Sequence, residues 1–168
     1  MKILSVAVPC YNSQEYMRKC VDSLLKGGED VEILIVDDGS KDDTLKIARD
    51  YEEKYPTIVK AIHQENKGHG GAVNTGLAHA TGLYFKVVDS DDWLNEEALK
   101  KALEVLKLCV RRPKTLDLLL CNYVYEKVGA KRKTVMRYRS ALPQDKIFGW
   151  DDVKPLGTSH YLLMHSMI

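Results

Sequence analysis

Four short apolar runs rich in β-branched residues punctuate the first two thirds of the chain, at residues 3–8, 31–36, 58–62 and 84–88. They recur at nearly equal intervals, and the stretches between them carry a helical period. Tyr16, Met17, Cys20, Val21, Leu24 and Leu25 fall on one face, as do Leu45, Ala48, Tyr51 and Tyr55 in the next stretch. Such alternation predicts βαβ units and a parallel sheet. Gly27-Gly28 is expected to end the first helix, and Asp42 or Asp43 to cap the one that starts at Thr44. A further helix is predicted over 95–108, with Ala98, Leu99, Ala102, Leu103, Val105 and Leu106 inward and Arg112-Pro113 as its stop.

Beyond that helix, residues 116–125 read as a long buried strand, and 134–138 as an antiparallel strand with alternate residues exposed. Pro143, Gly149, Pro155 and Gly157 then break the pattern, and the sequence closes on the apolar HYLLMHSMI. An apolar terminus belongs inside a fold, so the expectation is a natural protein that continues beyond Ile168.

Composition narrows the class. With 168 residues, 45% hydrophobic and 29% charged, the chain has the makeup of one ordinary globular domain, which excludes disorder, collagen and disulfide scaffolds. Twenty-five Lys and Arg against 24 Asp and Glu leave a net charge of +1, so no global field favours nucleic acid. The basic run at 127–139 is expected to be a solvated strand face. Cys10, Cys20, Cys109 and Cys121 lack any metal-ligand spacing and read as reduced core thiols of a cytoplasmic protein. No apolar run approaches the ~20 residues that span a bilayer.

In open α/β sheets ligands bind at the carboxyl ends of the strands, which singles out Pro9-Cys10-Tyr11-Asn12, Asp37-Asp38-Gly39-Ser40, residues 63–71 and Asp89-Ser90-Asp91-Asp92. Two of the four are acidic clusters. Crowded carboxylates repel one another unless a cation or a set of donors neutralises them. The second cluster suits a hard cation such as Mn²⁺ or Mg²⁺, because a helix cap needs one acid and here there are three. In the first, one Asp capping the next helix accounts for the residues as well as a ligand contact does. Asp38 has the chemistry to accept from a base N–H, and Tyr11 to stack on a nucleobase.

Residues 66–74 (NKGHGGAVN) are glycine-rich and open a short helix ending near Ala80, so backbone N–H groups there suit a phosphate. The segment fails as a dinucleotide fingerprint, since Val73 stands where a third Gly or Ala is needed and the motif follows the third strand. No GxxxxGK[ST] occurs, which excludes a P-loop nucleotidase.

Taken in order, VAVPCYN, EILIVDDGSKDDT and NKGHGGAVNTGLAHATGLYFKVVDSDDW resemble the nucleotide-binding half of family 2 glycosyltransferases. The resemblance runs from Ile3 to about Leu106. It implies a type A glycosyltransferase fold, a three-layer α/β/α sandwich with a mostly parallel sheet. It further implies one catalytic domain over 1–168, truncated at its C-terminal end. Within that domain residues 1–108 bind nucleotide, and 109–168 begin the acceptor side.

By the same resemblance Pro9 and Tyr11 line the nucleobase pocket and Asp38 hydrogen-bonds a uracil-like edge. Asp89 and Asp91 match the family's DxD motif. Asp89 then lies near ribose and diphosphate, and Asp91 holds the Mn²⁺ or Mg²⁺ that bridges the phosphates. Many relatives carry arginine at the position of Val73, so Lys67, Gly68 and His69 are candidates to complete the donor pocket. The implied reaction moves a sugar from a UDP-linked donor to a glycan or lipid-linked acceptor, with inversion, in polysaccharide synthesis at the inner membrane face. The general base is expected beyond Ile168, because Asp151-Asp152, the only late acidic pair, reads as a helix start.

Three other readings use the same residues. A phosphorelay receiver also has an apolar strand ending in paired aspartates, but it leaves the strand and helix before Val31 unexplained. A haloacid-dehalogenase-like phosphatase wants its aspartate pair on the first strand, whereas DSDDW lies on the fourth. A donor-binding fragment without transferase activity keeps the fold and denies the chemistry.

Overall fold

Each of the four apolar runs forms a strand, and each strand ends at or beside a candidate site residue. In the computed structural model, which describes residues 1–112, 116–126, 133–154 and 164–168, β1 is Leu4–Cys10, β2 Val31–Asp38, β3 Val59–Gln64 and β4 Tyr84–Val87. The intervening helices are α1 (Met17–Leu24), α2 (Thr44–Lys54) and α3 (Gly68–His79), and α4 (Glu96–Val110) follows β4. The sheet order is β3-β2-β1-β4 and all three pairings are parallel. All of β1 and nearly all of β2 is buried, as unbroken apolar runs require when both faces of a sheet are covered.

The order places the topological switch at β1. The chain leaves β1 toward β2 and β3, then α3 carries it back across the sheet to β4 on the other side of β1. Right-handed crossovers therefore put α1 and α2 on one face and α3 on the opposite one. α3 comes very close to the sheet: a Cβ at Gly76 would lie 2.5 Å from the Cβ of Ala7. Only glycine lets helix and strand approach so far.

On the α3 side, a polar knot pins the helix to the strands. The half-buried Glu32 carboxylate accepts from Ser5 Oγ and from the backbone N and Oγ1 of Thr81, the last two at 2.9 Å. Burial alone would raise the Glu32 pKa, but these donors outweigh it and hold the carboxyl below its usual range.

Several boundaries differ from the sequence pattern. α1 stops at Leu24, three residues before the glycine pair, and a 3₁₀ segment (Leu25–Asp30) continues to β2. Tyr16 stays exposed and Leu25 half-buried, because the helix turns only Met17, Cys20, Val21 and Leu24 fully inward. At α2 the N-cap position is Asp43, yet the carboxylate that works there is Asp42, which accepts from Thr44 N at 3.0 Å. In α4 the buried stripe is Leu99, Ala102, Leu103, Leu106 and Cys109, whereas Ala98 and Val105 are exposed. A single-sided contact covers a stripe narrower than the apolar arc of the sequence.

The chain divides into two compact units, Met1–Thr115 and Leu116–Ile168. In the second, the expected long strand over 116–125 is reduced to β5 (Tyr123–Tyr125), paired antiparallel with β6 (Thr134–Met136). Residues before it are only half-buried or exposed, and Leu119 and Cys121 spend their backbone groups on Ile168 and Ser166. Among the described residues the pairing there is the single isolated bridge of Leu120 with Met167. The basic run survives in part as β6, with Thr134 and Val135 exposed; residues 127–132 lie outside the described ones, as do Pro113, Pro155 and Gly157.

Among the described residues no helix is long and apolar enough to cross a membrane. Cys10, Cys20 and Cys109 are buried and Cys121 half-buried, all as free thiols. Burial, and then the Asp37 charge, pushes the Cys10 thiol up to about 12, which leaves it a packing group.

Candidate active site

Parallel strands deliver their C-terminal residues to one edge, so Tyr11, Asp37, Asp38, Gln64 and Asp89 collect on the same side of the first unit. The switch between β2 and β4 on either flank of β1 opens the crevice in which such folds hold ligands. Pro9 is buried in the last turn of β1, and Tyr11, just past it, exposes half of its surface.

The β1 loop is held by its neighbours. Asn12 takes a left-handed φ of 50°; its N donates to Ser40 Oγ at 3.0 Å and its Oδ1 accepts from Lys41 N at 2.9 Å. Ser13, 2% exposed, donates its N to Thr44 Oγ1 at 2.7 Å. Its Oγ accepts from Tyr11 N at 3.2 Å and lies 2.8 Å from Ser90 Oγ.

The two acidic clusters have separate fates. Asp37 is completely buried; its Oδ2 pairs with His63 Nδ1 at 2.7 Å and its Oδ1 accepts from Ser40 N at 3.3 Å. Asp38, 3% exposed, accepts on Oδ1 from Gln64 Nε2 at 2.6 Å and Lys67 N at 2.8 Å. It thereby fixes the turn that launches α3. Gly68 follows with φ +75°, a conformation that strains any residue with a Cβ. α3 has neither a side-chain cap nor an acid in its first turn.

Asp89 and Asp91 sit on the turn after β4. The Asp89 side chain is 28% exposed and its Oδ1 lies 2.8 Å from His69 Nε2, which joins the glycine-rich segment to the second acidic cluster. Asp91 is exposed and, among the described residues, takes part in no hydrogen bond or ion pair. Beyond it Leu94 N donates to Ser23 Oγ at 3.1 Å and Lys19 Nζ stands 2.9 Å from the Trp93 ring centroid, so α1 anchors the loop. Asn95 caps α4 by accepting from Ala98 N at 3.0 Å, which relieves the aspartates of that task.

Side-chain contacts thus tie Asp38 to Lys67, His69 to Asp89, and the Tyr11 loop to Ser90, within one unit of the fold. Asp152 is engaged elsewhere, accepting from Gly149 N at 3.1 Å in a short 3₁₀ turn, as a helix start requires. Ser13 carried no signal in the sequence, because a lone polar residue beside a strand end is indistinguishable from loop, and His63 and Gln64 were marked only as part of the 63–71 segment and not as partners of the aspartates.

The model of glycosyl transferase family 2 matches residues 5–110. Chondroitin synthase of Escherichia coli is 40% identical over 103 residues, 61% of this chain and 15% of its own length. Among solved structures, TarS 1-349 of S. aureus in complex with UDP is 35% identical with a TM-score of 0.61, over 72% of this chain and 35% of that one. The mannosyltransferase PcManGT of Pyrobaculum calidifontis, solved with GDP-Man and Mn2+, is 28% identical with a TM-score of 0.57, over 70% and 34%. The chain spans about a third or less of the length of these proteins. A match over residues 5–110, together with a parallel sheet whose strand ends carry every motif, leaves one conclusion: the chain belongs to glycosyl transferase family 2.

Proposed function

We propose that this chain binds the donor for a metal-dependent enzyme that moves a sugar from a nucleoside diphosphate sugar, UDP-linked, to a glycan or lipid-linked acceptor. The observation that carries this reading is the strand-end turn at Asp89-Ser90-Asp91. There one carboxylate is held by His69 and the other stands exposed without a chain partner among the described residues. Two hard oxygen donors on an open turn fit Mn²⁺ or Mg²⁺, which keep part of their shell for water and phosphate oxygens. TarS with UDP and PcManGT with GDP-Man and Mn2+ support the same ligand classes.

In this assignment Asp91 and Asp89 hold the cation, and Asp89 also lies near ribose and diphosphate. Lys67 and Gly68 complete the diphosphate side. Pro9, Tyr11 and Asp38 form the base side, with Asp38 Oδ1 already holding two chain donors. When bound, the cation neutralises charge on the departing diphosphate. We assign the first unit to the donor and the second to the start of the acceptor side. Displacement is inverting, with a carboxylate general base taking the proton of the acceptor hydroxyl. A product in polysaccharide synthesis and a peripheral site at the inner membrane face complete the reading; a net charge of +1 speaks against a nucleic-acid partner.

Calorimetric titration of UDP with and without Mn²⁺, beside ADP and GDP, tests it. Expected is binding that requires Mn²⁺ and prefers UDP. Failure of all three nucleotides to bind would remove the donor site, and a preference for GDP would overturn the uridine assignment alone.

A further inference from the structure

Through its backbone N and its side chain, Ser13 links three of the four strand-end segments. Its backbone N is held by Thr44 after β2, its Oγ accepts from Tyr11 N after β1, and the same Oγ meets Ser90 Oγ in the turn after β4. At 2% exposure it is shielded from water, so neither contact is readily replaced by solvent. Ser90 is the middle residue of the Asp89-Ser90-Asp91 turn. The Cys10 thiol at the end of β1 meets the same two hydroxyls, and Asn12 fastens the β1 loop to the β2 loop through Ser40 and Lys41. The Ser13–Ser90 contact therefore ties the base-side loop after β1 to the cation-side turn after the neighbouring β4.

We infer that Ser13 and Ser90 are positioning residues. Their hydroxyl pair sets the Asp89–Asp91 turn against the Tyr11 loop, so that base binding and cation binding reinforce one another. This rests on the donor-site reading above. The chemistry is linkage: if one nucleotide must touch both loops, a contact that prefixes their spacing lowers the ordering cost at the second site. Without it each loop still forms, but the diphosphate and cation no longer find the turn already placed relative to the base.

The test uses the whole chain and two readouts. In the absence of metal and nucleotide, amide hydrogen exchange at Asp92, whose N donates to Asp89 O at 2.9 Å, reports order in the turn. Ser13→Ala and Ser90→Ala are each expected to speed it, and Ser90→Thr, which keeps the hydroxyl at a half-buried position, to restore it. In calorimetry the quantity read is the ratio of UDP affinities with and without Mn²⁺. Each alanine variant is expected to lower that ratio about five- to tenfold, the worth of one net hydrogen bond. The double variant should fall no further than either single one. Faster exchange with an unchanged ratio, or additive losses in the double variant, would overturn the coupling. Should the unaltered chain bind UDP without any gain from Mn²⁺, the donor-site reading fails instead, while the exchange data still judge the bridge itself.

Discussion

Two strands of the same sheet end in the same chemistry and put it to opposite uses. β2 closes on Asp37-Asp38, both all but sealed from water and held by His63, Ser40, Gln64 and Lys67. β4 leads to Asp89 and Asp91, the first part-exposed and the second open and unengaged among the described residues. The contrast teaches that paired acids at a strand end are not one signal. Where the chain provides the donors, the carboxylates build the loops; where it leaves a carboxylate unengaged, a ligand has something to bind.

The strongest way to break the comparison is to remove Asp91. Asp91→Ala is expected to lower Mn²⁺-dependent UDP affinity about a hundredfold or more, since a metal contact carries several kcal/mol of charge stabilisation. Retained affinity in calorimetry would take Asp91 out of the site. The mirror experiment is Asp37→Ala, which takes the acceptor from Ser40 N, the partner from the half-exposed His63 ring and a fully buried side chain from the strand end. About 2–3 kcal/mol of stability should be lost, read as a lower urea midpoint at unchanged slope.

Glu32, half-buried at the other end of β2, is likewise held by chain donors, and its contribution is pH-dependent. Its folded pKa is depressed, so its contribution is present above the ordinary glutamate range and is lost as pH falls through the folded value. Unfolding followed from neutral to acid pH should show Glu32→Gln less stable by about 1 kcal/mol at neutrality, the gap closing in acid. A constant gap across the range would mean that packing, not charge, is what the residue contributes. The smallest expected effect is on the exposed side: Asp91→Asn should change stability by no more than about 0.5 kcal/mol, as surface substitutions do. A clear gain in stability would indicate that Asp91 carries unrelieved repulsion in the folded state.

Much of this was legible before any coordinates. Parallel strands buried on both faces need unbroken apolar runs, and those runs located β1 to β4 within a few residues of their ends. The motifs that resemble the family then marked the candidate site, because ligand positions in this architecture follow strand ends. Legibility failed where pairing depends on partners distant in sequence. Residues 116–125 have strand composition, yet their neighbours are the last residues of the chain rather than a sheet, so only Tyr123–Tyr125 forms a strand. The exposed Val105 in α4 failed similarly, since periodicity gives an apolar arc but not how much of it meets a neighbour.

The sequence by itself determined the class of fold, the order of its strands and helices, and which polar and acidic residues follow each strand; periodicity and strand-end placement are local properties that survive without a third dimension. Only the tertiary structure decided which acids are occupied and which are open, and that Ser13 and Ser90, far apart in the chain, share a hydrogen bond between the ends of β1 and β4. Hydrogen-bond partners are chosen by which loops the sheet order brings together, and no spacing along the chain encodes that choice.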